Sequence, residues 1–407
     1  MNEILTIGIL LLTGYVLGLL LSKIGIPKII GYIGTGIIFS PFTTNFLDTN
    51  IGQDTQSLMD ICLAFIAFEV GGALKWTKIK KHENEIIYIT LLASIIPLVL
   101  ITGGVLVLGL LFPSIVPFEY STLFLFSLLL GTLASPTAPA ATLAVIHEYK
   151  AKGKVTETIL GVAALDDILG ILLFSVVIGL ISTFLEGYNG LFGANILNTL
   201  YEIIIAIILG AILALFLNWL VSLLKISGEG QWIVIIFSFI VLCVGLTKLM
   251  NINILLTSMS MGVVVVNKSK RQKEIFRILE RYTEDLIFLF FFVLSGLHLD
   301  ISTIPRAITI IIIFVLLRTA GKYLGANLGA RMAKADTSIQ KYTAGGLIPQ
   351  AGIVIGLVLS IYPNVQFGQI SELLLTVIMG ATIIHEIIGP LAAKASLRNS
   401  GEIKGNT

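Results

Sequence analysis

Gly161-Val-Ala-Ala-Leu-Asp-Asp-Ile-Leu-Gly170 sets two adjacent carboxylates, Asp166 and Asp167, inside the largely apolar run from Ile159 to Leu185. An ionised side chain at mid-bilayer costs roughly 3 kcal/mol on insertion scales, and a like-charged neighbour adds repulsion. Such a pair needs a proton, a cation or a basic partner. A carboxylate that takes either a proton or a metal ion is the minimal device for exchanging one for the other.

The rest of the chain fits a membrane setting. It is 56% hydrophobic and 12% charged, against about 25% charged in soluble domains, and its mean hydropathy is +0.99. Long apolar stretches recur from end to end, so the expected fold is an all-α polytopic membrane protein. No hydrophilic segment is long enough for a separate domain, and the tail after Leu397 is too short for a nucleotide-binding regulatory domain. The net charge of +2 carries no nucleic-acid signature. Cys62 and Cys243 fall in apolar runs without disulfide or zinc spacing. The first run, Ile4 to Leu21, lacks a basic leader and a cleavage site, so it reads as a retained helix. No nucleophile–base arrangement, nucleotide loop or cofactor motif appears, so neither an enzyme nor a cofactor is expected.

Windowed hydropathy predicts thirteen spans, near 3–22, 26–41, 57–76, 84–112, 121–147, 154–185, 193–224, 230–249, 252–266, 279–298, 303–332, 338–361 and 367–393. Basic residues sit almost entirely in the odd-numbered loops, for example Lys150, Lys152 and Lys154 in the fifth and Lys268, Lys270 and Arg271 in the ninth. By the positive-inside rule those loops are cytoplasmic, the N-terminus is outside and the C-terminus inside. Thirteen spans allow two inverted six-helix repeats, spans 1–6 and 8–13, with span 7 as the link. Both proposed halves are interrupted in their fifth helix. Span 5 contains Leu133-Ala-Ser-Pro-Thr-Ala-Pro-Ala-Ala-Thr142, where Pro136 and Pro139 each remove a backbone donor. Span 12 contains Gly345-Gly-Leu-Ile-Pro-Gln-Ala-Gly352, with Pro349 and Gly352 in the break. Interrupted helices at corresponding positions point to a midplane binding site, with broken spans 5 and 12 crossing there.

The candidate ligands follow. Freed carbonyls at Ser135–Pro139 and the hydroxyls of Ser135, Thr137 and Thr142 are hard oxygen donors suited to an alkali cation. Asp166 and Asp167 lie on the next helix. Span 11 supplies the bases: Arg318 and Lys322 are four residues apart and share a helical face. Glu386 in span 13 occupies the half-repeat position of the Asp pair and is a candidate partner for Arg318. Glu69 is a further membrane acid with a structural ion pair as its expected role, and Glu284 and Asp285 are placed at a helix entrance. His298 and His385 have no metal-site spacing.

These residues resemble the monovalent cation:proton antiporter superfamily. The resemblance spans nearly the whole chain. It rests on Gly25-Ile-Pro-Lys-Ile-Ile-Gly-Tyr-Ile-Gly-Thr-Gly36, the broken fifth helix, the Asp pair, Gly321-Lys-Tyr-Leu-Gly325 and the Gly-Leu-Ile-Pro break. The Asp-Asp form looks like bacterial electrogenic sodium/proton antiporters. That likeness implies that Asp167 is the Na+ carboxylate, Asp166 its neighbour and Lys322 the salt-bridge partner of Asp166. Electroneutral relatives carry Asn-Asp there and potassium-efflux relatives Gln-Asp. The electroneutral branch also has an acid in the broken helix, where this chain has Ala138, yet Arg318 is similar to an arginine of that branch. The family further implies a homodimer and elevator-type alternating access. Its dimerisation scaffold would be 1–78 and 230–300, its ion-translocating core 84–185 and 301–397, its linking helix 193–225 and its cytoplasmic tail 398–407.

The expected activity is exchange of Na+ (or Li+) for H+ across the cytoplasmic membrane, electrogenic in stoichiometry, with lipid as the surrounding partner. Potassium/proton exchange on the same scaffold is the rival. A gated cation channel is a third reading, against which two adjacent acids and the lack of a pore-lining repeat both argue.

Overall fold

The computed structural model describes residues 3–24, 26–40, 55–76, 83–138, 142–143, 145–146, 149–185, 192–224, 228–299, 304–362 and 367–403. In chain order the helices are α1 (Glu3–Lys23), α2 (Lys28–Phe39), α3 (Gln56–Ala73), α4 (Glu83–Leu111), α5 (Tyr120–Thr132), α6 (Lys154–Leu185), α7 (Phe192–Leu224) and α8 (Glu229–Met250). They continue with α9 (Ile254–Lys268), α10 (Gln272–Tyr282), α11 (Glu284–Leu297), α12 (Ile304–Met332), α13 (Thr337–Tyr342), a 3-10 turn (Ala344–Leu347), α14 (Ile353–Ile361) and α15 (Gly368–Asn399). No strand occurs among the described residues. The chain is helical because a backbone in hydrocarbon must satisfy its own polar groups.

Among the described residues, eight helices are long and apolar enough to cross a membrane, and four shorter apolar helices have 10–17 residues. Along α7, Tyr201, Ile204, Ile208, Ile212 and Trp219 are exposed, a face suited to lipid rather than water. The α10 segment differs. It buries Ile275, Ile278 and Leu279 and exposes Lys273, Arg277 and Arg281, so it is amphipathic and too polar to span. The region expected as one span over 121–147 is helical only to Thr132 before its break. That expected over 338–361 divides into α13, the 3-10 turn, a non-helical stretch and α14.

The chain forms two compact units, Met1–Lys75 with Ile196–Ser302 and Trp76–Asn195 with Thr303–Thr407. In the first, α2 meets α11 where Gly36 faces the backbone of Gly296, and α3 meets α9 at Gly71 and Gly262. Asn253 caps α9 by accepting from the Leu256 amide at 2.9 Å. Ion pairs join Lys28 to Asp285 at 3.4 Å and Lys248 to Asp60 at 2.6 Å.

The second unit carries the intramembrane charges. Gly321, Gly325 and Gly329, one helical turn apart on α12, lie against the backbone of Pro97, Ala93 and Ile89 of α4. Small residues let two helices approach closely in lipid, and this seat fixes the height of Arg318 and Lys322. Ile89, Val155, Ile159, Ala330, Leu347 and Leu397 form part of the apolar core. The α15 helix stops at Gly401, whose φ of 77° lies in the left-handed region that glycine adopts freely. The Gly401 amide donates to Arg398 O and the Glu402 amide to Leu397 O, both at 3.1 Å. This is the Schellman arrangement of a helix C-terminus.

Candidate cation site

Two broken segments meet inside the second unit. The α5 helix ends at Thr132. Leu133, Ala134 and Ser135 close it with turn bonds to Leu129 O, Gly131 O and Thr132 O, and Pro136–Ala138 runs on toward Pro349–Gly352. An isolated antiparallel bridge pairs Thr137 with Gln350, and the Ala138 amide donates to Pro349 O at 3.1 Å. Each break rests on a glycine of a neighbouring helix. A Cβ at Gly170 of α6 would come within 2.6 Å of the Pro136 ring, and one at Gly389 of α15 within 2.7 Å of the Pro349 ring. The breaks therefore sit close against the helices that carry the acids. Thr142 ties the first break to the second by donating to Gly346 O at 2.9 Å. Gly352 precedes α14 as its cap residue. Pro139 lies outside the described residues.

Arg318 and Lys322 are both 0% exposed, so neither reaches a membrane surface. Arg318 donates from Nε to Ala134 O at 3.1 Å and from Nη1 to Ile348 O at 2.6 Å. Its Nη2 donates to Pro136 O at 2.8 Å and to Pro349 O at 3.4 Å. One guanidinium thus serves carbonyls from both breaks. The sequence pointed to Glu386 as a candidate partner, and Glu386 lies near enough to interact with Arg318 electrostatically. The sequence also pointed to the Ser135–Pro139 carbonyls as cation ligands, of which Pro136 O is taken by Arg318. Glu386 is buried, but no ion pair joins it to Arg318 among the described residues. The reason is stoichiometric. Broken helices strand acceptors in a low-dielectric interior, and a planar group with five donors satisfies several at once.

Lys322 Nζ lies 2.8 Å from Asp166 Oδ2. It also donates to Thr137 Oγ1 at 3.0 Å and to the Ser135 carbonyl. Thr137 Oγ1 in turn donates to Asp166 Oδ2 at 2.5 Å. Asp166, Lys322 and Thr137 therefore form a closed triangle. Ser135 Oγ bonds to Ser94 Oγ of α4 at 2.7 Å and approaches Asp166 O at 3.3 Å.

Asp167 stands outside the triangle. It is 1% exposed, and the Thr137 backbone amide is its hydrogen-bonding neighbour. Its Oδ1, like Asp166 Oδ1, has no hydrogen-bond partner. Two carboxylate oxygens on adjacent residues are thus uncommitted while the neighbouring hydroxyls and carbonyls are engaged. That donor set is hard oxygen, as an alkali cation prefers. No group of three or more His, Cys, Asp or Glu forms a metal cluster among the described residues.

The chain matches a known family over almost its whole length. The sequence profile of "Sodium/hydrogen exchanger, transmembrane" matches residues 7–397. The chain belongs to the sodium/hydrogen exchanger family. Within it, the exchanger is 25% identical over 384 residues to "Probable Na(+)/H(+) antiporter 3" of Methanocaldococcus jannaschii, covering 92% of each chain. It is 24% identical to the Na(+)/H(+) antiporter of Enterococcus hirae, covering 95% of this chain and 97% of that one. A third relative is the Na(+)/H(+)-K(+) antiporter GerN of Bacillus cereus, 21% identical over 86% of this chain and 85% of its own. The solved structure of the sodium proton antiporter MjNhaP1 from Methanocaldococcus jannaschii shares the fold, with a TM-score of 0.78, 18% identity and coverage of 97% and 98%.

Sequence reasoning missed several residues of this exchanger's site. Ser94 carries no signal, being a small polar residue in an apolar helix. Gln350 Oε1 lies 2.9 Å from His385 Nδ1 and, being an amide oxygen, is the acceptor, both side chains being buried. From the sequence His385 reads only as a candidate metal ligand without supporting spacing. His298 keeps its ring nitrogen on Leu294 O of its own helix at 3.0 Å, and Asp285 is the partner of Lys28.

The triangle makes a quantitative expectation. Asp166→Asn and Lys322→Ala each leave the other partner's charge buried, which costs about 3–5 kcal/mol in such pairs. The double variant removes both charges and recovers part of that loss. Thermal stability in detergent, measured for both single variants and the double, is expected to be strongly non-additive. Additive losses would mean that the two side chains act independently.

Proposed function

We propose that this protein is a secondary active antiporter that exchanges Na+ (or Li+) for H+ at Asp167. The observation that carries the reading is the buried acid pair in which Asp166 is held by Lys322 while Asp167 Oδ1 is uncommitted. Protonation of the carboxylate expels the cation, and cation binding expels the proton. Competition at one site then couples the two flows, provided that the core moves only when the site is neutralised. Asp166 and Lys322 hold the proton-coupling charge beside it, and Thr137 and Ser135 shape its polar wall. The names of the relatives from Methanocaldococcus jannaschii and Enterococcus hirae support sodium and protons as the substrates.

The finer reading follows from the loop charges, the paired breaks and the resemblance. Residues 84–185 and 301–397 move as an ion-carrying core by an elevator motion. They move against a scaffold of 1–78 and 230–300 through which two copies dimerise, with 193–225 as the link. Spans 1–6 and 8–13 are the inverted halves of thirteen. The chain sits in the cytoplasmic membrane with its N-terminus outside and its C-terminus inside. Transport is electrogenic, because two acids and a lysine can change protonation in one cycle. Potassium/proton exchange is the second reading, favoured by the potassium in the name of the Bacillus cereus relative.

The test is a proteoliposome assay. An imposed proton gradient is expected to be dissipated by added Na+, and an imposed membrane potential alone to drive Na+ accumulation. No response to voltage would make the exchange one-for-one. Dissipation by K+ but not Na+ would replace the substrate, and current without coupling would replace the antiporter by a channel.

A further inference from the structure

The helix that carries Asp166 and Asp167 lacks a cap of its own. Gly153 immediately precedes α6 and has no side chain to accept from the first turn. The orphan amides are met by a residue almost 250 positions away. The Val155 amide donates to Glu402 Oε1 at 2.8 Å. The Thr156 amide and Thr156 Oγ1 donate to Glu402 Oε2 at 2.8 and 2.7 Å. These are the two amides that a side chain at the capping position ordinarily serves, and a carboxylate also suits the positive end of the helix dipole. The Lys152 amide adds a bond to Glu402 O at 3.3 Å.

The fit is specific in both directions. A Cβ placed at Gly153 would fall on the Glu402 carboxylate, with Glu402 Cγ at 2.7 Å. The glycine leaves the room that the distant carboxylate occupies. The left-handed turn at Gly401 sends Glu402 back from the end of α15 toward α6, and Ile403 packs on the core cluster beside it. Asp166 lies twelve residues along from Lys154, about 18 Å up a continuous helix. Whatever holds the first turn therefore sets the height of the acids.

We infer that Glu402 is a positioning residue for the ion site: it tethers the start of α6 to the end of α15 and thereby holds Asp166 and Asp167 in register with the two breaks. This rests on the exchange reading above. Without the tether, fewer molecules hold the binding-competent geometry, and the apparent cation affinity falls by that fraction.

The experiment compares wild type, Glu402→Ala, Gly153→Asp and the double variant in proteoliposomes, together with amide hydrogen exchange at residues 154–167. Glu402→Ala is expected to raise the Na+ half-saturation about three- to tenfold with the maximal rate little changed, and to speed exchange in that segment. Gly153→Asp alone disturbs function, because the new side chain competes with Glu402 for its place. In the double variant Asp at position 153 caps α6 locally, so the first-turn amides are protected again while the half-saturation stays raised. Full recovery of half-saturation in the double variant would overturn the tether, leaving Glu402 as a helix cap only. An unchanged half-saturation in Glu402→Ala would also overturn it. Should wild type show no exchange at all, the transport reading fails by itself. Amide exchange at residues 160–167 in the double variant then decides the tether, with exchange still faster than wild type supporting it and wild-type protection leaving Glu402 as a helix cap only.

Discussion

Asp167→Asn reduces cation-coupled proton movement to the background of empty vesicles while the protein still inserts and folds. The amide has nearly the shape of the carboxylate but neither binds a proton exchangeably nor offers an anion to a cation. Folding is spared for two reasons. Asp167 Oδ1 makes no hydrogen bond that the substitution would break, and removing a charge from a membrane helix lowers its insertion cost. A pH-sensitive dye trapped in proteoliposomes reads the transport, and the elution profile in detergent reads the fold. Wild-type rates from a well-folded Asp167→Asn protein would remove this residue from the centre of the mechanism.

Arg318→Ala is expected to have the largest effect on stability. It strands the carbonyls of Ala134, Pro136 and Ile348, while Pro349 O keeps its bond from the Ala138 amide. A buried acceptor left without a donor costs about 1–3 kcal/mol, so the loss should reach about 3 kcal/mol or more with all three left unpaired. Lysine at this position keeps the charge but not the fork, and recovers only part of the loss. The apparent melting temperature in detergent should fall in the order wild type, Arg318→Lys, Arg318→Ala. A fully stable Arg318→Ala protein would mean that the crossing of the breaks does not depend on the guanidinium.

The contrast between Arg318 and Lys322 shows what a sequence of this kind discloses. Acids and bases within apolar runs each demand an opposite charge, but which acid meets which base, Asp166 with Lys322, was implied only by the family resemblance. Carbonyls have no letter in the sequence. That Arg318 serves both breaks appears only when Ala134–Pro136 and Ile348–Pro349 are brought together in space. The breaks themselves were legible because Pro136 and Pro349 act locally on their own helices. The extent of non-helical backbone after Thr132 was not, since the apolar run continues through it. Glu402 was hidden for a related reason. In the sequence it stands in a polar tail, and only the turn at Gly401 directs it onto α6. Gly321 and Gly325 stand in the sequence only as part of a family pattern, whereas with Gly329 their physical use is the close seat of α12 on α4.

The central claim is that one carboxylate serves proton and cation in turn. Proton release on Na+ addition tests it most directly. Purified protein is placed in weakly buffered detergent solution with a pH indicator, and NaCl is titrated against a choline chloride control. The account predicts saturable proton release by Na+ that is absent in Asp167→Asn. Saturable Na+ binding detected by calorimetry under the same conditions, without any proton release, would contradict it.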